Sequence, residues 1–303
     1  MQKDYLSVLD ARDEFAELVQ SALDLKKRDG SGENDEPLKG RTLAMIFEKS
    51  STRTRVSFEV AMNQLGGRSL FLNPQDTQLG RGETISDTAR TLSRYVDCIA
   101  YRAFDHEMVL DLARNSSIPV INALDDLEHP CQALADVVTI AERRTPRGLK
   151  LAYVGDGNNV CNSLLLACSI TGIDISAACP EGHEPDQGIV EDARRLASRA
   201  GSRCDVLRDP REAVHEANVI YTDVWVSMGD TDGEKRLEAF SEYQVNSDLV
   251  ALASPDCLIM HCLPAHRGQE ITGEVIDGPQ SIVFDQAENR LHAQKALLLA
   301  LLR

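Results

Sequence analysis

The feature that most constrains this chain is the alternation of short apolar runs with longer amphipathic stretches along nearly all of its 303 residues. Runs rich in Val, Ile and Leu, each followed by a helical pattern, are typical of βαβ units on a parallel sheet. The strands are predicted at 42–47, 68–72, 97–101, 119–121, 150–154, 173–179, 204–207, 219–222 and 258–260. The pattern therefore predicts an α/β fold with doubly wound parallel sheets.

A charged stretch near the middle divides the chain into two halves. The sequence AERRTPRG at 141–148 places a proline and a glycine after an apolar helical pattern. At roughly 150 residues per domain, the length also fits two domains. We expect a first domain at 1–142, a second at 143–285, and a helix at 286–303 whose apolar ending is buried against another part of the fold.

Composition excludes several classes of protein. Lys and Arg total 32 against 48 Asp and Glu, which gives a formal net charge of −16 and argues against nucleic acid or an anionic membrane as a partner. No run approaches the roughly 18 apolar residues of a membrane span, and the charged start does not resemble a signal peptide, so a cytoplasmic protein is expected. The acidic, lysine-poor composition resembles that of proteins from salt-loving organisms, which suggests stability that depends on salt. The hydrophilic stretch 26–39 is predicted to be a solvated loop.

The segment FEKSSTRTRVSFE at 47–59 is the first candidate for chemistry, because an apolar strand ends there and a periodic helix begins. Ser51, Thr52 and Thr54 lie where unpaired backbone N–H groups and the positive end of the helix dipole gather. Arg53 adds a guanidinium that can bind phosphate oxygens in pairs. A plain helix cap with solvated arginines is the alternative, but the segment favours phosphate binding.

The segment HPCQALAD at 129–136 opens the helix that follows the predicted strand 119–121. His129 precedes a proline at the helix start and Gln132 lies one turn later, so both side chains can point beyond the carboxyl end of the sheet. Polar groups in that position can hold a carbonyl oxygen. A structural histidine is the alternative.

The segment VGDGNNVCNS at 154–163 forms a strand, a tight turn and a helix. It invites a dinucleotide-binding interpretation, but the third glycine of that fingerprint is replaced by Val160. What remains is a turn that presents Asn158 and Asn159 at a helix start. Such a turn suits contact with a small polar molecule.

The segment DVWVSMG at 223–229 follows an apolar strand and contains the chain's one tryptophan. Asp223 at the strand end could bind an ammonium group, with Ser227 and Met228 beside the aliphatic part of the same ligand. An acidic loop that anchors one large apolar side chain is an equally good interpretation.

The segment MHCLPAHRG at 260–268 also ends an apolar run. His261 and Cys262 are neighbours, and neighbours on a strand face opposite sides, so we expect no Cys–His nucleophile here. No second segment supplies paired metal ligands for these residues or for His266, and the eight cysteines include no C-x-x-C pair, so no metal site is expected. Arg290 opens the last helix, where it either reaches an anion or stays solvated.

Taken together and in this order, these segments resemble the aspartate/ornithine carbamoyltransferase family. FEKSSTRTR, HPCQALAD, DVWVSMG and HCLP cover both halves, and GETISDTARTLSRYVD between them also resembles the family, so the likeness spans almost the whole chain. It implies that 1–142 binds carbamoyl phosphate, that 143–285 binds ornithine, and that the active site lies in the cleft between the two domains. It also implies that the helix 286–303 returns to the first domain.

The resemblance further implies transfer of the carbamoyl group to the side-chain amine of ornithine, without a metal or organic cofactor, by a homotrimer or an assembly of trimers. The residues matched to carbamoyl phosphate are Ser51, Thr52, Arg53, Thr54, Gln78, Arg102, His129 and Gln132. Those matched to the second substrate or to the last helix are Asn159, Asp223, Ser227, Met228, Cys262, Leu263 and Arg290. In this scheme Arg102 and His129 bind the carbonyl oxygen of carbamoyl phosphate, and Cys262 assists loss of the proton from the amine of ornithine. Gln78 lies near a subunit interface.

Several alternative functions remain open from the sequence alone. Within the family, an enzyme for aspartate needs a cationic contact, whereas DVWVSMG offers a carboxylate and a thioether. An enzyme for putrescine or a modified ornithine would share nearly all of these residues. A nucleotide-dependent dehydrogenase is disfavoured by Val160, and a non-catalytic protein that binds a phosphorylated metabolite is disfavoured by the full set of motifs.

Overall fold

The computed structural model describes residues 3–29, 35–226 and 233–303, with the backbone alone at 233–235. The chain divides into two compact units, which are described separately. The first unit comprises Met1–Glu142 and Glu288–Arg303, and the second comprises Arg143–Ala287.

The first unit is built on a parallel sheet. Its strands are β1 (Thr42–Phe47), β2 (Arg68–Leu72), β3 (Cys98–Arg102) and β4 (Val120–Leu124). Helices α1 to α5 are Phe15–Asp29, Thr52–Gln64, Ile85–Leu92, His106–Asn115 and Pro130–Arg143, and 3-10 helices lie at Val8–Ala11, Pro74–Asp76 and Leu79–Arg81. The strand order is β2–β1–β3–β4, so the order reverses between β1 and β3, and ligands of such sheets bind beyond the carboxyl ends at that point.

The second unit is also built on a parallel sheet. Its strands are β5 (Lys150–Val154), β6 (Asp174–Ala178), β7 (Cys204–Leu207), β8 (Val219–Thr222) and β9 (Leu258–His261). Helices α6 to α11 are Asn159–Thr171, Gln187–Ala200, Pro210–Val214, Gly233–Ala239, Ser247–Val250 and Gly273–Ile276, with a 3-10 helix at Ser241–Tyr243. The order β7–β6–β5–β8–β9 reverses between β5 and β8. The predicted α/β class with parallel sheets is confirmed.

The last helix, α12 (Val283–Leu302), belongs to the first unit from Glu288 onward. Asn289 donates to Thr139 Oγ1 at 3.1 Å, and Lys295, which is buried, forms an ion pair with Asp29. Within residues 3–29, 35–226 and 233–303, none of the helices has the length and apolar character that crossing a membrane requires.

Several predicted boundaries differ from the observed ones, and two of these differences have a clear physical cause. Strand β4 continues past residue 121, because the polar Asn122 that interrupts the apolar run is buried and donates to Asp125 Oδ2 at 2.8 Å. The solvated loop predicted from residue 26 begins later, because α1 continues to Asp29 and Lys26 is held by Glu142. Residues 30–34 of that predicted loop lie outside the described part of the chain.

Candidate active site

The phosphate-binding segment predicted at 47–59 forms the turn from β1 into α2. Ser51 is the N-cap: its backbone is extended, and its hydroxyl accepts the Thr54 N–H at 3.3 Å. Thr52 is exposed at the helix start, while Arg53 is half-buried. The first turn of α2 therefore presents N–H groups and a guanidinium at the switch point of the sheet.

Arg290 of α12 connects α2 with α5. Its Nη1 donates to Gln132 Oε1 at 2.6 Å, and its Nη2 donates to Thr54 Oγ1 at 3.0 Å. Gln132 Nε2 donates in turn to Asp136 Oδ1 at 2.8 Å. All four side chains are at most 2% exposed, so Arg290 is not the solvated arginine of the alternative interpretation.

His129 lies in the same unit, at the residue before α5, and is 5% exposed. Burial lowers the pKa of His129 well below its usual value. The positive charges of Arg290, Arg102 and Arg53 lower this pKa further. His129 is therefore neutral at physiological pH and offers one ring N–H as a donor.

Arg102 is the last residue of β3 and is 7% exposed, one position beyond the predicted end of the strand. The register between β3 and β4 shifts there, so that Arg102 pairs with Leu124.

We name Thr54, Arg102, His129, Gln132 and Arg290 the cationic cluster. Gln78 is exposed, at the residue before the 3-10 helix Leu79–Arg81, and its predicted role stays a prediction.

The second unit gathers a different set of groups around Asp223, which follows β8 and is 6% exposed. Cys262 Sγ donates to Asp223 Oδ1 at 2.9 Å, and Asn158 Nδ2 donates to Asp223 Oδ2 at 2.9 Å. The Val224 N–H also donates to Oδ1, at 2.8 Å. We name Asn158, Asp223, His261 and Cys262 the anionic cluster.

The expectation that His261 and Cys262 face opposite sides was wrong. Ligand atoms of His261, Cys262 and Asp223 all lie within 4.8 Å of one another. Strand β9 ends at His261, so the alternation of faces stops before Cys262. Leu263 follows in the left-handed region, with φ of 58°, which turns the chain sharply at this point.

The comparisons with known proteins agree with this geometry. Residues 3–142 match the description "Aspartate/ornithine carbamoyltransferase, carbamoyl-P binding domain", and residues 147–301 match the "Asp/Orn binding domain" of the same family. The chain belongs to the aspartate/ornithine carbamoyltransferase family. The resemblance found in the sequence motifs is thereby confirmed.

Members of this carbamoyltransferase family resemble the chain over its full length. A protein of Methanosarcina mazei named ornithine carbamoyltransferase is 56% identical over 306 residues, covering 100% of both chains. One of Methanothermobacter thermautotrophicus with the same name is 58% identical, covering 98% of this chain and 97% of its own. The solved structure of ornithine carbamoyltransferase from Pyrococcus furiosus superposes with a TM-score of 0.96 at 54% identity, covering 99% of this chain and 96% of that one.

The anionic cluster of this carbamoyltransferase also has the composition of a possible metal site, because Asp223 supplies the second segment that the sequence did not reveal. The hydrogen bonds favour a different use. His261 Nδ1 accepts the Leu263 N–H at 2.9 Å, and its Nε2 lies 3.1 Å from Glu270 Oε1. With both ring nitrogens engaged, the cluster is arranged as a hydrogen-bonded acid–thiol pair.

In the turn after β5 of this family member, Gly157 and Asn158 have structural roles that need no dinucleotide. A Cβ at Gly157 would lie 2.2 Å from Pro185 N, so this glycine serves close packing of the backbone. Asn158 caps α6, since its Oδ1 accepts the N–H groups of Val160 and Cys161 at 3.0 and 3.1 Å. Asn159, the predicted contact, is half-buried as the first residue of α6.

Asn158 was predicted only as a polar group at a helix start; its hydrogen bond to Asp223, and the hydrogen bond from Gln132 to Asp136, were not predicted. Weak signals for both exist: Asp136 lies four residues after Gln132 on one helix face, and Asn158 occupies a helix N-cap after a strand. The predicted contacts Ser227 and Met228 lie outside the described residues.

Proposed function

We propose that the protein transfers the carbamoyl group of carbamoyl phosphate to the side-chain amine of L-ornithine, giving L-citrulline and phosphate. The observation that carries the proposal is the buried carboxylate of Asp223 with the Cys262 thiol hydrogen-bonded to it. A buried carboxylate binds an ammonium group, whereas a second carboxylate, as in aspartate, would require a cation there. Relatives named ornithine carbamoyltransferase, such as those of M. mazei and Picrophilus torridus at 56% and 52% identity, support the same substrate.

The first unit is assigned to carbamoyl phosphate and the second to ornithine. In the first, the start of α2 and the guanidinium groups of Arg53, Arg102 and Arg290 supply positive charge for the phosphate. In this scheme Ser51 and Thr52 bind phosphate oxygens and Gln132 binds the carbamoyl group. The negative charge of the phosphate is thereby balanced by fixed donors rather than by water.

In the reaction, the amine of ornithine loses its proton and attacks the carbonyl carbon, and the tetrahedral intermediate expels phosphate. Negative charge develops on the carbonyl oxygen, so donors at Thr54, Arg102 and His129 stabilise the transition state more than the ground state. Asp223 and Cys262 are the groups proposed to bind the amine and to assist loss of its proton. Asn159 and Leu263, with Ser227 and Met228 of the same predicted set, complete the proposed ornithine contacts. The displacement changes no oxidation state, and we expect no cofactor.

We further propose that the protein forms a homotrimer or an assembly of trimers, with Gln78 contributing near a subunit interface. Exposed apolar side chains on the first unit, Val56 of α2 and Leu70 of the edge strand β2, supply surface that a second copy can cover. Sedimentation should give about three times the 33.3 kDa chain mass, or a multiple of that value. A monomer at working concentration would contradict this assembly.

We infer that the protein works in the cytoplasm, in arginine metabolism. All eight cysteines are present as thiols, which supports a reducing compartment.

The test of the activity is citrulline formation from carbamoyl phosphate and ornithine, with aspartate and putrescine as alternative acceptors, at low and at molar salt. We expect ornithine to be the preferred acceptor. Preference for aspartate or putrescine would overturn the assignment of Asp223, Ser227 and Met228 as ornithine contacts. It would not affect the assignment of the first unit to carbamoyl phosphate. Absence of carbamoyl transfer at every salt concentration would overturn the whole proposal. Activity and stability that do not depend on salt would contradict the hypothesis drawn from the acidic composition.

A further inference from the structure

Asp136 is a fully buried carboxylate that the reaction scheme does not use. It lies on α5, one helical turn after Gln132, and has no exposed surface. Its Oδ1 accepts a hydrogen bond from Gln132 Nε2 at 2.8 Å. A buried charge is costly unless it is hydrogen-bonded, so its position next to a proposed substrate contact calls for a physical reason.

The reason lies in the two ends of the Gln132 amide. A carboxylate only accepts hydrogen bonds and a guanidinium only donates them. Asp136 therefore turns the NH₂ end of the amide toward itself, and the carbonyl end faces Arg290 Nη1 at 2.6 Å. Rotating the amide by half a turn would place like ends together and lose two charge-assisted hydrogen bonds.

The orientation of Gln132 in turn fixes Arg290. The guanidinium is held at two points, by Gln132 Oε1 through Nη1 and by Thr54 Oγ1 through Nη2 at 3.0 Å. Thr54 lies in the first turn of α2, where the carbamoyl-phosphate half of the proposed site begins. Donors that are fixed before the reaction stabilise developing charge best.

We propose that Asp136 is a positioning residue of this half-site: it sets the amide of Gln132, which holds the Arg290 guanidinium against Thr54. The inference rests on the proposed function, since it names what prepares that site for carbamoyl phosphate. A merely structural role for Asp136 would make the fold depend on it, but would not make its effect depend on Gln132.

The experiment exchanges donor and acceptor between the two positions. Gln132→Glu alone places two carboxylates against each other, and we expect kcat/KM for carbamoyl phosphate to fall about 100-fold. Gln132→Glu combined with Asp136→Asn restores the hydrogen bond with reversed roles, keeps the net charge, and leaves a carboxylate oxygen for Arg290. This double variant should recover at least about tenfold of the loss, while KM for ornithine stays within about twofold of wild type throughout.

Ile140→Val is the matched control, because Ile140 is buried on the same helix, four residues after Asp136, and its apolar side chain takes no part in the hydrogen bonds of the cluster. It should keep wild-type kinetics. Asp136→Leu removes the acceptor and should weaken the binding of carbamoyl phosphate in the wild-type background. In a protein that already carries Gln132→Leu, it should cause no further loss of binding. A double variant no better than Gln132→Glu, or additive effects of the two Leu variants, would overturn the inference. If Asp136→Leu does not fold, the near-isosteric exchange pair still decides.

Wild-type citrulline formation is measured first, so that the two proposals fail separately. Calorimetric titration of the same variants with carbamoyl phosphate reads the Asp136 effect even if ornithine is not the acceptor. Wild-type binding with a Gln132-dependent loss would keep the inference, and absence of binding by wild type would overturn it together with the carbamoyl-phosphate assignment.

Discussion

The cationic cluster of the first unit is buried throughout, whereas the anionic cluster of the second is half-buried at Asn158 and Cys262, and the two also differ in charge and in the way they are assembled. The cationic cluster draws on α2, β3, α5 and α12, and its Arg290–Thr54 hydrogen bond joins residues 236 positions apart. The anionic cluster forms where β5, β8 and β9 end, around one carboxylate. A sequence pattern predicts where strands end, and sites of parallel sheets lie beyond those ends. It does not predict a hydrogen bond between helices that are far apart in the chain.

The difference in charge also separates the proposed substrates. Arginines around a neutral His129 suit a phosphate and a developing oxyanion, while Asp223 with Cys262 suits an amine. If this division is correct, substitutions in one cluster change the kinetics of one substrate and leave the affinity for the other nearly intact.

The largest effect is expected in the cationic cluster. Arg290→Met removes the donor to both Thr54 and Gln132, and turnover should fall roughly 10²- to 10³-fold, with KM for ornithine little changed. Steady-state kinetics with each substrate varied in turn measure both quantities. Arg143→Met, at an exposed position paired with Asp285, is the control and should retain activity. Equal loss of affinity for both substrates would contradict the assignment of one substrate to each cluster.

The second effect tests the anionic cluster. Cys262→Ala removes the thiol that donates to the buried Asp223. It should weaken ornithine binding and lower turnover by about 10- to 100-fold, while the affinity for carbamoyl phosphate stays nearly intact. Cys262→Ser retains a donor and should lose less. Cys257→Ala, at a buried position in the core, controls for loss of a thiol. Loss of both affinities would mean that Cys262 is structural.

The third effect concerns protonation. The pKa of His129 is lowered by burial and by the neighbouring arginines, so the unfolded chain takes up a proton at higher pH than the folded one. The free energy of unfolding should therefore fall with decreasing pH below about 6.5, by about 1.4 kcal/mol per pH unit for this one proton, until the folded-state pKa is reached. Urea unfolding of wild type and His129→Asn measures the difference. Parallel pH profiles would show that His129 is not held neutral.

These clusters also mark how far the sequence predicts the molecule. Buried parallel strands are continuous apolar runs, so β5 and β8 lie where the pattern places them. Boundaries fail where a buried polar residue such as Asn122 finds partners that only the fold supplies.

The same limit applies to the candidate site. Motifs indicate residues that would touch a substrate, such as His129, because strand ends and helix starts gather at one edge of the sheet. Asp136 and Asn158 act on other side chains, and their roles depend on which atom faces which. That information lies in the tertiary structure and not in the spacing of the residues.

The smallest effect separates the two hydrogen-bonding roles of Asn158, which caps α6 through Oδ1 and orients Asp223 through Nδ2. Asn158→Ser keeps a capping oxygen but is too short to reach Asp223, so stability should stay within about 0.5 kcal/mol while KM for ornithine rises about three- to tenfold. Asn158→Ala should show the same KM and lose about 1 kcal/mol in addition. Thermal unfolding and ornithine kinetics give both values. If Asn158→Ser leaves KM unchanged, Asp223 is held by Cys262 and the Val224 N–H alone, and the anionic cluster needs less support than the cationic one.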